Sequence, residues 1–221
     1  MTVHELVLAL PRPEDLRARC RAVALLDAIV SVPYAPSHMF AVDWRPGVDL
    51  AFMDNGSGDQ YAVVFDPVGV FLYGFDHESD ATPWREEDRA HWPGLLDGLP
   101  APLAPYTQAE EFLFDGFFDA TVCAWYETGS TAWRCGPVEF TDGDTDGADW
   151  LFDLLTAPDG TRAFADYAQD YYTRTVDEDA VAAVFNGAPL DRRTVTALSA
   201  HADFATIAGE ARALGYPVDD S

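Results

Sequence analysis

The chain has 221 residues, 48% hydrophobic and 23% charged, a composition that excludes a disordered protein and allows one large domain or two small ones. Thirty-eight acidic residues against 13 basic ones give a formal net charge of -25, spread along the whole length. No basic footprint for a phosphate backbone exists, so nucleic acid is not an expected partner, whereas a basic protein is.

Val3 to Leu10 reads equally as a short strand or as the start of a helix. Pro11 and Pro13 follow, and Glu14 and Asp15 are acids suited to a first helical turn. Leu16, Cys20, Val23, Leu26 or Asp27, and Val30 recur at helical spacing, which predicts an amphipathic helix ending before Pro33. Arg17, Arg19 and Arg21 fall largely off that stripe and read as a solvated face. Every basic residue in the chain is Arg. Met39 to Trp44 and Val48 to Met53 read as two strands around the turn Arg45-Pro46-Gly47.

Asp54 to Ser79 carries the clearest β pattern. Asn55-Gly56-Ser57-Gly58 is a turn by composition, and Tyr61 to Phe65 and Val70 to Phe75 are apolar runs separated by Asp66-Pro67-Val68-Gly69. Both runs are apolar on both faces, so this hairpin is expected at the centre of a covered sheet. In an antiparallel pair the start of one strand lies beside the end of the other, which brings Asp59 near Asp76, His77 and Glu78. His with carboxylates is the composition of an acid/base or metal cluster. The same letters suit turn caps and a half-exposed loop histidine, and the spacing lacks the ligand intervals of a zinc site. Asp54, Asp59, Asp76 and Glu78 are also candidate contacts for a basic partner.

Gly58-Asp59-Gln60-Tyr61-Ala62-Val63-Val64-Phe65-Asp66, with Val70 and Phe75-Asp76-His77-Glu78, resembles the central sheet of the SUKH (Smi1/Knr4-like) superfamily. The resemblance covers only residues 54–79, and the upstream Leu-Pro and Asn-Gly-Gly features of that group are not evident. It implies an immunity-type protein that neutralises a toxin.

Residues 83–105 read as short helical turns laid over the sheet, with Trp84 and Trp92 as candidates for a ligand groove or for packing. Phe117 to Tyr126 and Ala132 to Cys135 read as a further hairpin, followed by the short apolar run Val138 to Phe140. Asp142, Asp144, Asp146, Gly147 and Asp153 show the spacing D-x-D-x-D-G-x5-D, similar to an EF-hand calcium loop. The final Asp in place of Glu and Asp149 at a usually aliphatic position depart from that pattern, and an acidic interdomain loop reads the same letters. From residue 148 onward short helices follow one another, as in a small bundle.

Cys20, Cys123 and Cys135 show no paired spacing, which predicts free thiols and a reducing, cytoplasmic setting. The first residues lack a signal-peptide pattern, and no apolar run is long enough for a membrane span. The expected architecture is α+β: an N-terminal helix, an antiparallel sheet of about six strands in residues 1–147, and a helical part from 148 to 221 packed on it, with a single domain as the alternative. No cofactor is expected. The functional expectation is an acidic protein-binding module, with a small hydrolase-like enzyme using Asp59, Asp76, His77 and Glu78, or a calcium-stabilised structural protein, as alternatives.

Overall fold

In the computed structural model, which describes residues 1–141 and 143–220, the ambiguous opening segment is a helix, α1 (Val3–Ala9). The Thr2 backbone N–H donates to the Glu5 carboxylate at 2.9 Å and fixes its first turn. Helix α2 (Pro13–Ser31) starts with Pro at its first turn and Glu14 and Asp15 beside it, where the helix dipole favours acids. Its apolar residues face two ways. Leu16, Cys20 and Ala24 join the core beneath the sheet, while Val23, Leu25, Leu26, Ile29 and Val30 join a second core among the C-terminal helices. The arginines of α2 are not a solvated face. Arg17 donates from Nε to Asp49 at 2.8 Å, and Arg19 donates to the carbonyls of Leu155 and Ala157 at 3.0 and 2.8 Å, so they tie α2 to both neighbours.

Strands β1 (His38–Arg45), β2 (Val48–Asp54), β3 (Gln60–Asp66) and β4 (Gly69–Phe75) form the expected antiparallel meander. Short turns between apolar runs leave no room for crossover helices, so consecutive strands pair with each other. The small hairpin of β5 (Leu113–Phe114) and β6 (Phe117–Phe118) stands apart. β7 (Val122–Glu127) then pairs with β4, and β8 (Arg134–Cys135) with β7, giving the order β1-β2-β3-β4-β7-β8. The run Phe117 to Tyr126 is therefore two strands, broken where Asp119 turns inward. Val138 to Phe140 forms no strand. Ala124, rather than Cys123, lies opposite Cys135, and all three thiols are free.

One face of the sheet is covered by residues 83–112, including three 3-10 turns, with Leu95, Leu103, Tyr106 and Phe112 buried. The helical part comprises α3 (Ala148–Leu151), α4 (Asp153–Thr156), α5 (Gly160–Tyr172), α6 (Glu178–Phe185), α7 (Arg192–Leu198) and α8 (Phe204–Ala213). Asp159, Asp177, Asp191 and Asp203 each accept a backbone N–H at a helix start, so part of the acidity is spent on capping. The sheet core does not stop at residue 147. Ala148, Leu151, Phe152 and Leu155 belong to it, and Gly74 makes this possible, because a Cβ there would lie 2.8 Å from the Phe152 ring. The architecture is α+β with a six-stranded antiparallel sheet, and none of the described helices is long and apolar enough to cross a membrane.

Candidate functional site

One end of the sheet gathers the polar residues that the strands exclude. β2 ends there, β3 begins there, β4 ends there and β7 begins there, so Asp54 to Asp59, Asp76 to Glu78 and Asp119 to Thr121 meet. The turn between β2 and β3 is built by its own side chains. Asp54 accepts the Gly56 N–H at 2.7 Å, and Asn55 Oδ1 accepts those of Ser57 and Asp59 at 2.8 and 3.2 Å. The Asn55 amide then donates to Asp59 Oδ2 at 2.7 Å.

Asp59 reaches across to the end of β4. Its Oδ1 accepts the His77 backbone N–H at 3.0 Å and pairs with His77 Nδ1 at 2.6 Å. Burial pushes the Asp59 carboxyl up, but the hydrogen bonds from Asn55 and His77 outweigh it and hold the group below its ordinary value. The same bond to Asp59 raises His77, against a smaller effect of desolvation. Glu78 is exposed, 3.9 Å from His77 Nε2.

Asp76 completes a group with Asp59 and His77 whose potential ligand atoms lie within 4.8 Å of one another. Its oxygens are already engaged, Oδ1 by the Glu78 N–H and Oδ2 by the Trp150 indole, each at 3.0 Å. A cation there would compete with these donors and with those on Asp59, so the group is built first as a hydrogen-bonded knot that joins strand ends to α3.

Beside the knot lies a cleft of about 500 Å³. Asp54, Asp59, His77 and Asp119 supply its polar lining, with Gly58 and Gln60. Trp84, Phe114 and Phe75 supply its aromatic walls, and Trp84 and Phe114 are 48% and 57% exposed. Asp119 is 3% exposed and ion-paired with Arg89, yet its Oδ1 has no hydrogen-bond partner. Arg89 in turn lies 4.1 Å from the centre of the Trp84 ring and backs the aromatic wall. Behind it the Tyr73 phenol is pushed well up, first by burial and then by Asp119 and Asp54. No Ser, Thr or Cys lines this cleft. The thiols of Cys20 and Cys123 are buried elsewhere and pushed up by burial, so neither is an activated nucleophile.

The structure separates several residues that sequence reasoning grouped. Trp92 is not beside Trp84: its ring lies 5.4 Å from that of Phe140, and its indole donates to the Glu139 carbonyl. The calcium-like spacing does not converge among the described residues, and Asp142 lies outside them. Asp144 accepts from Thr141, while both Asp146 oxygens are taken by the N–H groups of Val3 and Ala148 at 2.7 and 3.0 Å. Asp153 stands in α4, on a different cleft. Gly147 has another explanation: at φ 83° it packs so closely that a Cβ would lie 2.4 Å from Asp76 Cβ.

A second cleft, of about 560 Å³, was not foreseen. It lies between the start of β1 and helices α3 to α5, with His38 in its wall. His38 pairs through Nδ1 with the fully buried Asp27 at 3.1 Å, and its backbone N–H donates to the same carboxylate oxygen at 2.8 Å. The signal for this site is Asp27 itself. A single acid inside the apolar run Ala22 to Val30 must be paired if it is buried.

No family model, no curated protein and no solved structure matches this chain.

Proposed function

We propose that this protein is an acidic, cytoplasmic binding module that captures a positively charged protein surface through the cleft at the sheet end. The observation that carries this reading is the pairing of exposed aromatic walls, Trp84 and Phe114, with Asp54, Asp59 and the unpartnered oxygen of Asp119. A guanidinium or ammonium group entering there would stack on aromatic rings and donate to carboxylates, the two interactions that such cations seek. The net charge of -25 supports it from a distance, by steering a basic partner toward the surface. The resemblance of residues 54–79 to SUKH immunity proteins favours a basic toxin as that partner.

The test is capture from a lysate of the native host, with wild type and a Trp84→Ala/Phe114→Ala variant side by side. The proposal expects a basic protein retained by wild type and lost by the variant. A neutral or acidic partner, or equal retention by both, counts against it.

A hydrolase-like reading has one observation of its own, the 2.6 Å pair of His77 and Asp59, in which Asp59 orients a histidine for general-base work. Without a nucleophile in the cleft lining, such an enzyme would have to activate water directly. Substitution of His77 by Gln would then abolish turnover while sparing partner capture.

A further inference from the structure

The second cleft has its own chemistry, independent of the sheet-end site. Asp27 is 0% exposed and lies in the middle of α2, where an unpaired charge would be costly. Its Oδ2 accepts from the backbone and Nδ1 of His38, and the Tyr167 hydroxyl stands 3.5 Å from Oδ1. With Nδ1–H directed at Asp27, the neutral imidazole keeps Nε2 as an acceptor. His38 is 7% exposed and lines the cleft, and Nε2 has no hydrogen-bond partner. A buried ring atom left open toward a cavity is a place prepared for a donor.

The surroundings define which donor. Met53, Leu151 and Leu154 give the cleft an apolar floor. Tyr167 and Tyr171, stacked with ring centres 5.4 Å apart, stand at its side, and the Tyr171 hydroxyl donates to the Asn55 carbonyl at 2.9 Å. The mouth carries Asp153, Asp166 and Asp170, and no Arg or Lys lines the cleft. Asp166 is paired with Arg162 at 2.9 Å, whereas Asp153 and Asp170 form no ion pair among the described residues. Partial burial and the neighbouring Asp149 push the Asp153 carboxyl up, as expected of a site short of positive charge. An anion would be repelled at the mouth, and a neutral apolar molecule would leave Nε2 unpaired.

We propose that this cleft binds a primary ammonium group carried on an apolar stem, with His38 Nε2 as its acceptor, Asp153 and Asp170 as its counter-charges, and Met53, Leu151 and Leu154 packing the stem. A free organic amine and a lysine side chain share this chemistry.

The experiment titrates the intact protein with phenethylamine, 2-phenylethanol and phenylacetate, which share one stem and differ in the charge and donor of the head group. Binding is read by calorimetry and by NMR shifts of the His38 and Tyr167 rings. The proposal expects phenethylamine to bind at least about tenfold more tightly than the alcohol, and phenylacetate not to bind. Asp170→Asn should weaken phenethylamine several-fold and leave the alcohol unchanged. A blocked, single-lysine peptide tells the two sources apart: tighter binding than phenethylamine at the same rings assigns the cleft to a partner's side chain, and weaker binding assigns it to a free amine. Equal affinity for the three head groups, preference for phenylacetate, or shifts that leave the His38 ring untouched would overturn the proposal. Because the comparison of ligands uses wild type, it stands even if variants at His38 fail to fold.

Discussion

At the scale of single residues, the Asp59–His77 pair makes stability depend on pH in a defined window. His77 is raised in the fold, so its contribution is complete below the unfolded value near about 6.5 and is lost as pH rises through the raised value. Asp59 is lowered, so its contribution is complete above about 3.9 and is lost as pH falls through the lowered value. Both are present together only from about pH 4 to 6.5. Because the ring is partly exposed, the pH-dependent part is expected to be no more than about 1 kcal/mol. Urea unfolding of His77→Gln against wild type should therefore show a larger loss at pH 5.5 than at pH 8.5, and equal losses would show that the pair carries no charge. Gly147→Ala should cost more, about 2 kcal/mol or above, because it adds strain at positive φ to a clash with Asp76. The convergence of Asp59 with His77 was legible in sequence because hairpin register places strand ends together. Asp119 and the Asp27–His38 pair were not. The first reaches the site only because the chain between β6 and β7 turns inward, and the second joins a helix to a strand through tertiary packing that no local spacing encodes.

Among the elements, α2 decides how the molecule holds together. Because one side of it packs under the sheet and the other among the C-terminal helices, loss of either core should unfold both. Leu16→Ala and Leu26→Ala, one in each core, should each cost about 2–5 kcal/mol. Near-UV and far-UV circular dichroism should still report one coincident transition, and two separated transitions would mark independent domains. Gly74→Ala tests the docking of α3 on the sheet, with an expected loss of about 1–3 kcal/mol from overpacking against Phe152. The strands β1 to β4 and most helices were legible from period, turn residues and N-terminal acids. The boundary near residue 147 was not, because composition changes there while the core continues through Phe152 and Leu155. The strand expected to begin at Phe117 failed for a related reason: an apolar run does not say which of its residues will pair with an earlier segment, and Phe117–Phe118 pairs with β5.

For the whole molecule, charge is the dominant property. A net charge of -25 opposes compaction through self-repulsion, and a basic partner would relieve it where the two surfaces meet. Steering of this kind acts on the association rate and weakens as ions screen the field, whereas the aromatic walls act on the lifetime of the complex. Trp84→Ala/Phe114→Ala should thus accelerate dissociation and leave association nearly unchanged. The most direct measurement is the association rate of the captured basic partner across a salt series from low to physiological ionic strength and above, taken for wild type and for Asp54→Asn. The account predicts a rate that falls steeply with salt in wild type and less steeply in the variant. A rate indifferent to salt, or the same slope in both proteins, would contradict it.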